Sequence, residues 1–541
     1  MKKILAAFVL ATALMSCVNT NQGIGGEFIP TNMKYDFHTI EFDLDEVWMK
    51  SADSLSGYSS RRINFGSIKD ETYGLFKRGC AITLVPVLDS VYLGENPQFK
   101  RFRFQAVFDT VSVSDPSQMN ILQNVNVYEL TEPLKDEEYF SRTEVKHGSK
   151  RITKGVPVVN GSDSLSFDFN AEFGRKYLEL TQDYMEDFDK YREKFPGIYL
   201  TTNDPVGEGG RFNMFQLDIL ENVSSSYVTR TDNYAILYYS GVYDGERRDS
   251  SLMFYFSPLD FQNLDSLVTA VALPDQYVFN VDSHETDHMA GKADDKIYIE
   301  GGSGLKPVIP ASEIYRLVTA EIARQGGNPT TALISKATIE LPFDFPEDYR
   351  DMYLFPDVLS PTIKISSNNA VAFAGLTDAS VSTENQGDVN RSLCVYAPDI
   401  THHVQQIIRK DESDDLTAYD IWLLIMHNET TTTTNSEASE MAQYYQQLAY
   451  YSYYNQLYGG GYGGYGSYYG GGYGGYGGYG GYGYSNYYNY MMMAQYASSA
   501  ASSTSTSAEL DLDRFYKCWL RGPGADGNRP RLKITYALPK E

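Results

Sequence analysis

Cysteine is scarce: Cys17, Cys80, Cys394 and Cys518 are the only four in 541 residues, and no two stand at a C-x-x-C or zinc-type spacing. Neither a disulfide framework nor a structural zinc site is expected. Cys80 and Cys518 sit beside strand-like stretches and read as buried free thiols, while an oxidising compartment would permit one Cys394–Cys518 bridge. Catalytic signatures are missing too: there is no H-E-x-x-H, no G-x-S-x-G and no Walker loop. The glycine clusters Gly207–Gly210 and Gly301–Gly304 open no basic helix suited to phosphate. Basic residues are outnumbered, 45 against 70 acidic ones, giving a formal charge of −25. That field repels polyanions, which argues against nucleic acid and against adsorption to anionic lipid. The amino-terminal apolar run, Ile4–Leu14, is about half the roughly 20 residues of a membrane-spanning helix.

What that run does form is legible. Lys2 and Lys3 precede it and Leu14-Met15-Ser16-Cys17 closes it, the layout of a secretory signal ending in a bacterial lipobox. Residues 1–16 are expected to be removed and Cys17 to carry acyl chains of the palmitate class. One chain anchors only marginally, at about 0.8 kcal/mol per buried methylene, whereas two or three hold a protein on a membrane. Membrane lipid is thus an expected partner, with residues 17–32 as a tether.

Beyond the tether the period is two. Ile40, Phe42 and Leu44 alternate with Glu41, Asp43 and Asp45; Phe102, Phe104, Ala106 and Phe108 alternate with Arg101, Arg103, Gln105 and Asp109. Pro86 interrupts an apolar run and marks an edge or a bulge. Tyr234–Tyr239 and Leu252–Phe256, with Asp244-Gly245 between them, predict a hairpin with a generous loop. More strands are expected at Ile198–Thr202, Ala332–Leu341, Thr362–Ser366, Ile421–Met426 and Leu532–Tyr536. Two helices break the pattern. Phe173, Tyr177, Leu180, Tyr184, Phe188 and Tyr191 recur at three and four, predicting one helix of about six turns over Glu172–Phe195 with its aromatic stripe on a sheet. Ile314, Leu317, Val318 and Ile322 give another over Ala311–Gln325. The expected class is mainly β, a β-sandwich or paired sandwich, with one domain over 33–210 and a second over 211–426 and 510–541.

Residues 427–509 form a low-complexity insertion of Thr, Gly-Gly-Tyr repeats, and Ser/Ala/Thr. Between Tyr444 and Tyr490 lie 19 of the 45 tyrosines, with few aliphatic residues to build a core, so disorder is the expectation. Ile421–Met426 before it and Phe515–Leu520 after it are expected to pair, leaving the insertion as an expanded loop.

Candidate sites are few. In Asp282–His288 the residues His284, Asp287 and His288 could hold a divalent ion, but the spacing fits no cage and the segment reads first as a solvated polar loop. His402-His403 is weaker, on a short helix or loop. No metal or other cofactor is expected. Asp-Ser/Thr-aliphatic triplets at Ser54, Ser90, Thr110, Ser164 and Ser266 resemble the O-glycosylation sequon of exported Bacteroidota proteins. Ser54, Ser164 and Ser266 are the candidates, the first two for their polar surroundings.

Taken together, Ile24–Pro30, Leu88–Leu93, Val125–Leu130, Phe195–Leu200, Ile297–Pro310, Ile334–Ala337 and Leu532–Tyr536 resemble a Bacteroidota lipoprotein family defined by an uncharacterised domain (domain of unknown function 4270). The resemblance implies an outer-membrane lipoprotein with no catalytic residues to carry over, and some relatives are parts of outer-membrane machinery, including that which inserts β-barrels. The expected function is therefore a non-enzymatic, lipid-anchored binding or scaffolding subunit docked on an outer-membrane protein. A glycan-binding or adhesin-like surface lipoprotein is the alternative. The cell surface is favoured over the periplasmic face, although Val18–Gln22 lacks the acids that accompany surface export.

Overall fold

The computed structural model describes residues 34–58, 62–86, 91–134, 140–217, 233–256, 278–367, 370–380, 385–411, 413–434 and 501–540. The signal, Cys17 and its tether, Ser90, Ser266 and the Gly/Tyr repeats lie outside the described residues.

Mainly antiparallel pairing builds two sandwich-like lobes, in keeping with the β class. In the first, a nine-stranded sheet and a five-stranded sheet enclose one core. The smaller sheet runs in the order Leu165–Asp168, Glu95–Ala106, Tyr234–Tyr243, Glu246–Tyr255, Val85–Pro86. One of its inner strands, Glu95–Ala106, shows why it forms: Phe102, Phe104 and Ala106 are fully buried, while Arg101 and Arg103 reach Asp168 on the other face. Pro86 sits on the edge strand, where its missing N–H leaves no gap in the ladder. Asp244 and Gly245 both take positive φ, 54° and 81°, joining Tyr243 to its partner Glu246 through a two-residue turn. The turn is tighter than the generous loop expected, because this pair suits the primed turn that matches strand twist.

The aromatic stripe packs on the sheet as expected, but not as one helix. The chain forms Ala171–Lys176, a 3₁₀ turn Tyr177–Glu179, Gln182–Glu186 and Phe188–Lys194. Leu180 turns extended (ψ 125°), and Asp187, at ψ 97°, caps the last helix by accepting from the Lys190 N–H. Local capping by Asp187 competes with the helical ladder, and the stripe still delivers Phe173, Tyr177, Leu180, Tyr191 and Phe195 to the core.

The second lobe places a five-stranded and a seven-stranded sheet around another core, with helices Ala311–Arg324 and Thr401–Ile407 packed into it. It includes the start of the chain. Tyr35–Asp43 pairs with the C-terminal strand Arg531–Pro539, and Trp48–Ser51 pairs with Leu305–Ile309. Pairing also runs across the expected 210/211 boundary: Gly209–Gln216 spans it, and Val278–His284 joins Gly74–Ile82 in the first lobe. The first lobe is thus inserted between two pieces of the second. Nothing in composition changes at those crossings, since strand partners far apart in sequence are matched by register alone.

The flanks of the insertion are also strands. Ile421–Thr434 pairs with Ala501–Leu510, while Lys517–Arg521 pairs with Lys296–Glu300 instead of with Ile421–Met426 as expected. Residues 427–434 and 501–509 therefore belong to a ladder, and the expected disorder of the remainder falls on 435–500, outside the described residues.

Candidate functional site: an ionic joint between the lobes

Asp282 and His284 are not in a solvated loop. They lie on the strand Val278–His284, and their side chains are 4% and 0% exposed. Alternation puts both on the face turned toward the second lobe. Across from them, Arg78 on Gly74–Ile82 is 1% exposed and holds Asp282 through two bonds, Nε to Oδ1 at 2.6 Å and Nη2 to Oδ2 at 3.1 Å. His284 Nδ1 is 2.8 Å from Glu300 Oε1, its Nε2 is 3.8 Å from Asp282 Oδ2, and its ring stacks on Phe76 at 4.0 Å. Burial works against charge on both residues. The Glu300 and Asp282 carboxylates overcome it for His284, which is held above its usual range, and Arg78 overcomes it for Asp282, which is held well below.

The second lobe supplies the other half. Glu300 ends the strand Lys296–Glu300, and Gly301–Gly304 folds over the pair. Ser303 N–H donates to Asp282 Oδ2 at 3.1 Å, and Thr286 Oγ donates to Glu300. Lys306 Nζ, enclosed, donates to the carbonyls of Glu300, Gly302 and Gly304. Three acceptors for three N–H bonds is the geometry of an ammonium, although burial pushes its pKa down to about 7. The glycines explain themselves here. A Cβ on Gly302, at φ +52°, would meet Asp282 Oδ2 at 2.3 Å, and one on Gly304 would meet Glu300 Oε2 at 2.5 Å. The Gly301–Gly304 stretch that holds no phosphate serves to bring backbone down onto buried charge.

A second contact locks the same joint. The segment after Ala501–Leu510 inserts Asp513 beside Arg62, Asn64 and Arg78: its carbonyl accepts from Asn64 at 2.9 Å and from Arg78 at 2.8 Å. Phe515 N–H donates to Ser112 Oγ at 2.9 Å, and its ring joins Ile68, Phe76, Phe212 and Leu354 in a small apolar cluster bridging the lobes. The cations Arg78, His284 and Lys306 thus face Asp282 and Glu300 inside a nearly closed set. The arrangement joins the two lobes through buried charge.

The remaining expected residues separate. Asp287 accepts from Arg142 at 2.7 Å and His288 is exposed, bonded to the Glu285 carbonyl, so His284, Asp287 and His288 do not converge. Among the described residues no group of three metal-ligand side chains forms. Ser164 is exposed, whereas Ser54 is 9% exposed and donates to Asp53, so its hydroxyl lies under the surface. His403 is on a short helix, buried, and pushed down to about 4 by that burial. Cys80 and Cys518 are buried free thiols, and Cys394 is unpaired as well, so the Cys394–Cys518 bridge is not made. Sequence reading missed Arg78, Glu300 and Lys306. Only Lys306, a lone cation in an apolar strand behind four residues with three glycines, carried a visible signal.

Two open hollows lie on the described surface. One of about 340 Å³ is lined by Tyr128, His147 and Tyr199 with Asn126 and Asn203. His147 stacks with Tyr128 at 4.9 Å and with Tyr199 at 4.4 Å, and its side chain stays exposed. The other, about 450 Å³, lies beside Trp519, whose ring has Lys296 over it at 4.8 Å.

The joint has a pH signature. His284 is held above its unfolded value near 6.5, so its contribution is complete below about 6.5 and is lost as pH rises through the folded pKa. The stability gap between the wild type and His284→Gln, measured by urea unfolding, is expected to be widest near pH 6 and to narrow upward. A gap that widens with pH would contradict this.

No family model, curated protein or solved structure matches this chain.

Proposed function

We propose that this chain is a lipid-anchored, non-enzymatic envelope protein that acts as a binding or scaffolding subunit on an outer-membrane protein partner. The observation that carries the reading is the joint. A set of buried ionisable groups is turned inward and paired between the lobes, which stiffens a body suited to presenting fixed surfaces. Anchoring comes from the sequence, through Cys17.

The test is purification from membranes in mild detergent, with Cys17→Ser beside the wild type. The wild type is expected to fractionate with membranes and to bring one stoichiometric barrel-type partner. Cys17→Ser is expected to lose the membrane fraction. A solitary wild-type protein would contradict the scaffold, and a Cys17→Ser variant still on the membrane would contradict the anchor.

A further inference from the structure

The outer face of the five-stranded sheet in the second lobe is graded along its strands. At the end where the chain enters, Phe37, Ala537 and Leu333 are register partners in one row, and Tyr35 opposite Pro539 forms the next. Phe37 is 70% exposed, Leu333 41% and Tyr35 40%. Two residues inward on the same face, Thr39 and Thr535 bond hydroxyl to hydroxyl at 3.0 Å. Two further on, Lys533 sits between Glu41 at 3.3 Å and Glu340 at 2.9 Å, and beyond it Arg531 meets Asp43 at 3.3 Å. The exposed apolar side chains thus gather at this end, beside the Asp36–Lys540 pair at 2.7 Å. Near them is Lys336, which lies opposite Thr535 and pairs with Asp399 at 2.8 Å. The outer-face ion pairs of Glu41, Asp43, Glu340, Arg531 and Lys533 crowd the other end. Exposed aromatic side chains with lysines close by are what a membrane interface accepts, rings at headgroup level and ammonium groups reaching toward water.

We infer that this end of the sheet rests on the membrane surface, with Tyr35, Phe37 and Leu333 entering the headgroup region. The inference rests on the lipid-anchor reading and deepens it. Eighteen peptide links separate Cys17 from Tyr35, so the patch is within about 60 Å of the anchor even at full extension. A site so tethered meets the bilayer at an effective concentration on the order of millimolar, enough to seat a patch too small to bind unaided. The net charge of −25 makes uncharged lipid the better surface.

The test uses lipidated protein reconstituted into phosphatidylcholine vesicles with brominated acyl chains. Emission from Phe37→Trp is compared with that from Leu393→Trp, each against the unsubstituted protein with its three native tryptophans. Leu393 is 73% exposed in the turn at the opposite edge of the same sheet, about 30 Å further along by strand rise. Both positions are exposed, so the fold should tolerate either change. The expected result is loss of the added emission for Phe37→Trp and none for Leu393→Trp. If the protein floats with the vesicles and Phe37→Trp is unquenched, the seating is wrong while the anchor stands. If the protein does not float, the anchor falls and the seating with it.

Discussion

Asp282→Asn is expected to cost the folded state about 3–5 kcal/mol, the range for removing one partner of a buried ion pair. The size follows from what stays behind. Arg78 is 1% exposed, its Nη1 is already used on the Asp513 carbonyl, and it lies over Phe76 and Phe212 at 5.0 Å from each ring. The neutral amide can still take a hydrogen bond but cannot balance the guanidinium, and His284 loses one of its two carboxylate neighbours. Coulomb attraction alone would not set so large a value for an exposed pair, where about 0–1 kcal/mol is usual. Lys533–Glu340 on the outer face is such a pair, so Glu340→Gln should fall within that small range. Urea unfolding of the two variants is the comparison. A cost for Asp282→Asn below about 1 kcal/mol would mean the pair is not buried in solution.

Gly302→Val is expected to be as damaging by a different route. Its φ of +52° already disfavours a β-branched residue, and the added Cβ has Asp282 Oδ2 at 2.3 Å and Arg78 Nη2 at 2.6 Å in its way. Relief requires lifting the loop, which removes two of the three carbonyls holding Lys306 and the Ser303 N–H from Asp282. Backbone strain contributes about 1–3 kcal/mol and loss of the buried contacts adds to it. Gly326 is the control. It has φ +74°, and a Cβ added there would have nothing within 4 Å, so Gly326→Ala should cost only the left-handed backbone term of about 1–2 kcal/mol. Equal losses at the two glycines would show that contact with the ion pair does not matter.

How much of this was legible depended on the range of the interaction. Alternation at Phe102, Phe104 and Ala106, and the stripe through Phe173, Tyr177 and Tyr191, are local signals, and those residues are core. Pro86 told its edge position through a missing donor. The lobe plan was illegible, because Tyr35–Asp43 finds its partner 488 or more residues away at Arg531–Pro539, and only register matches them. The joint was hidden for a related reason. Asp282 and His284 alternate with polar Ser283, so a strand buried by charge pairing looks like a wet loop until Arg78 and Glu300 are seen opposite. Helix breaks at Leu180 and Asp187 were masked by a periodicity that tertiary packing kept intact.

The joint is what turns two sandwiches into one body, and the placement of tryptophan makes that directly measurable. Trp48, Trp422 and Trp519 all belong to the second lobe, so their fluorescence reports that lobe, whereas far-ultraviolet circular dichroism reports both. Urea unfolding followed by the two signals on the same sample is expected to give coincident midpoints, as one cooperative unit requires. Separated midpoints, with the fluorescence transition standing apart from the dichroism, would show that the lobes unfold independently and that the buried charges do not hold them together.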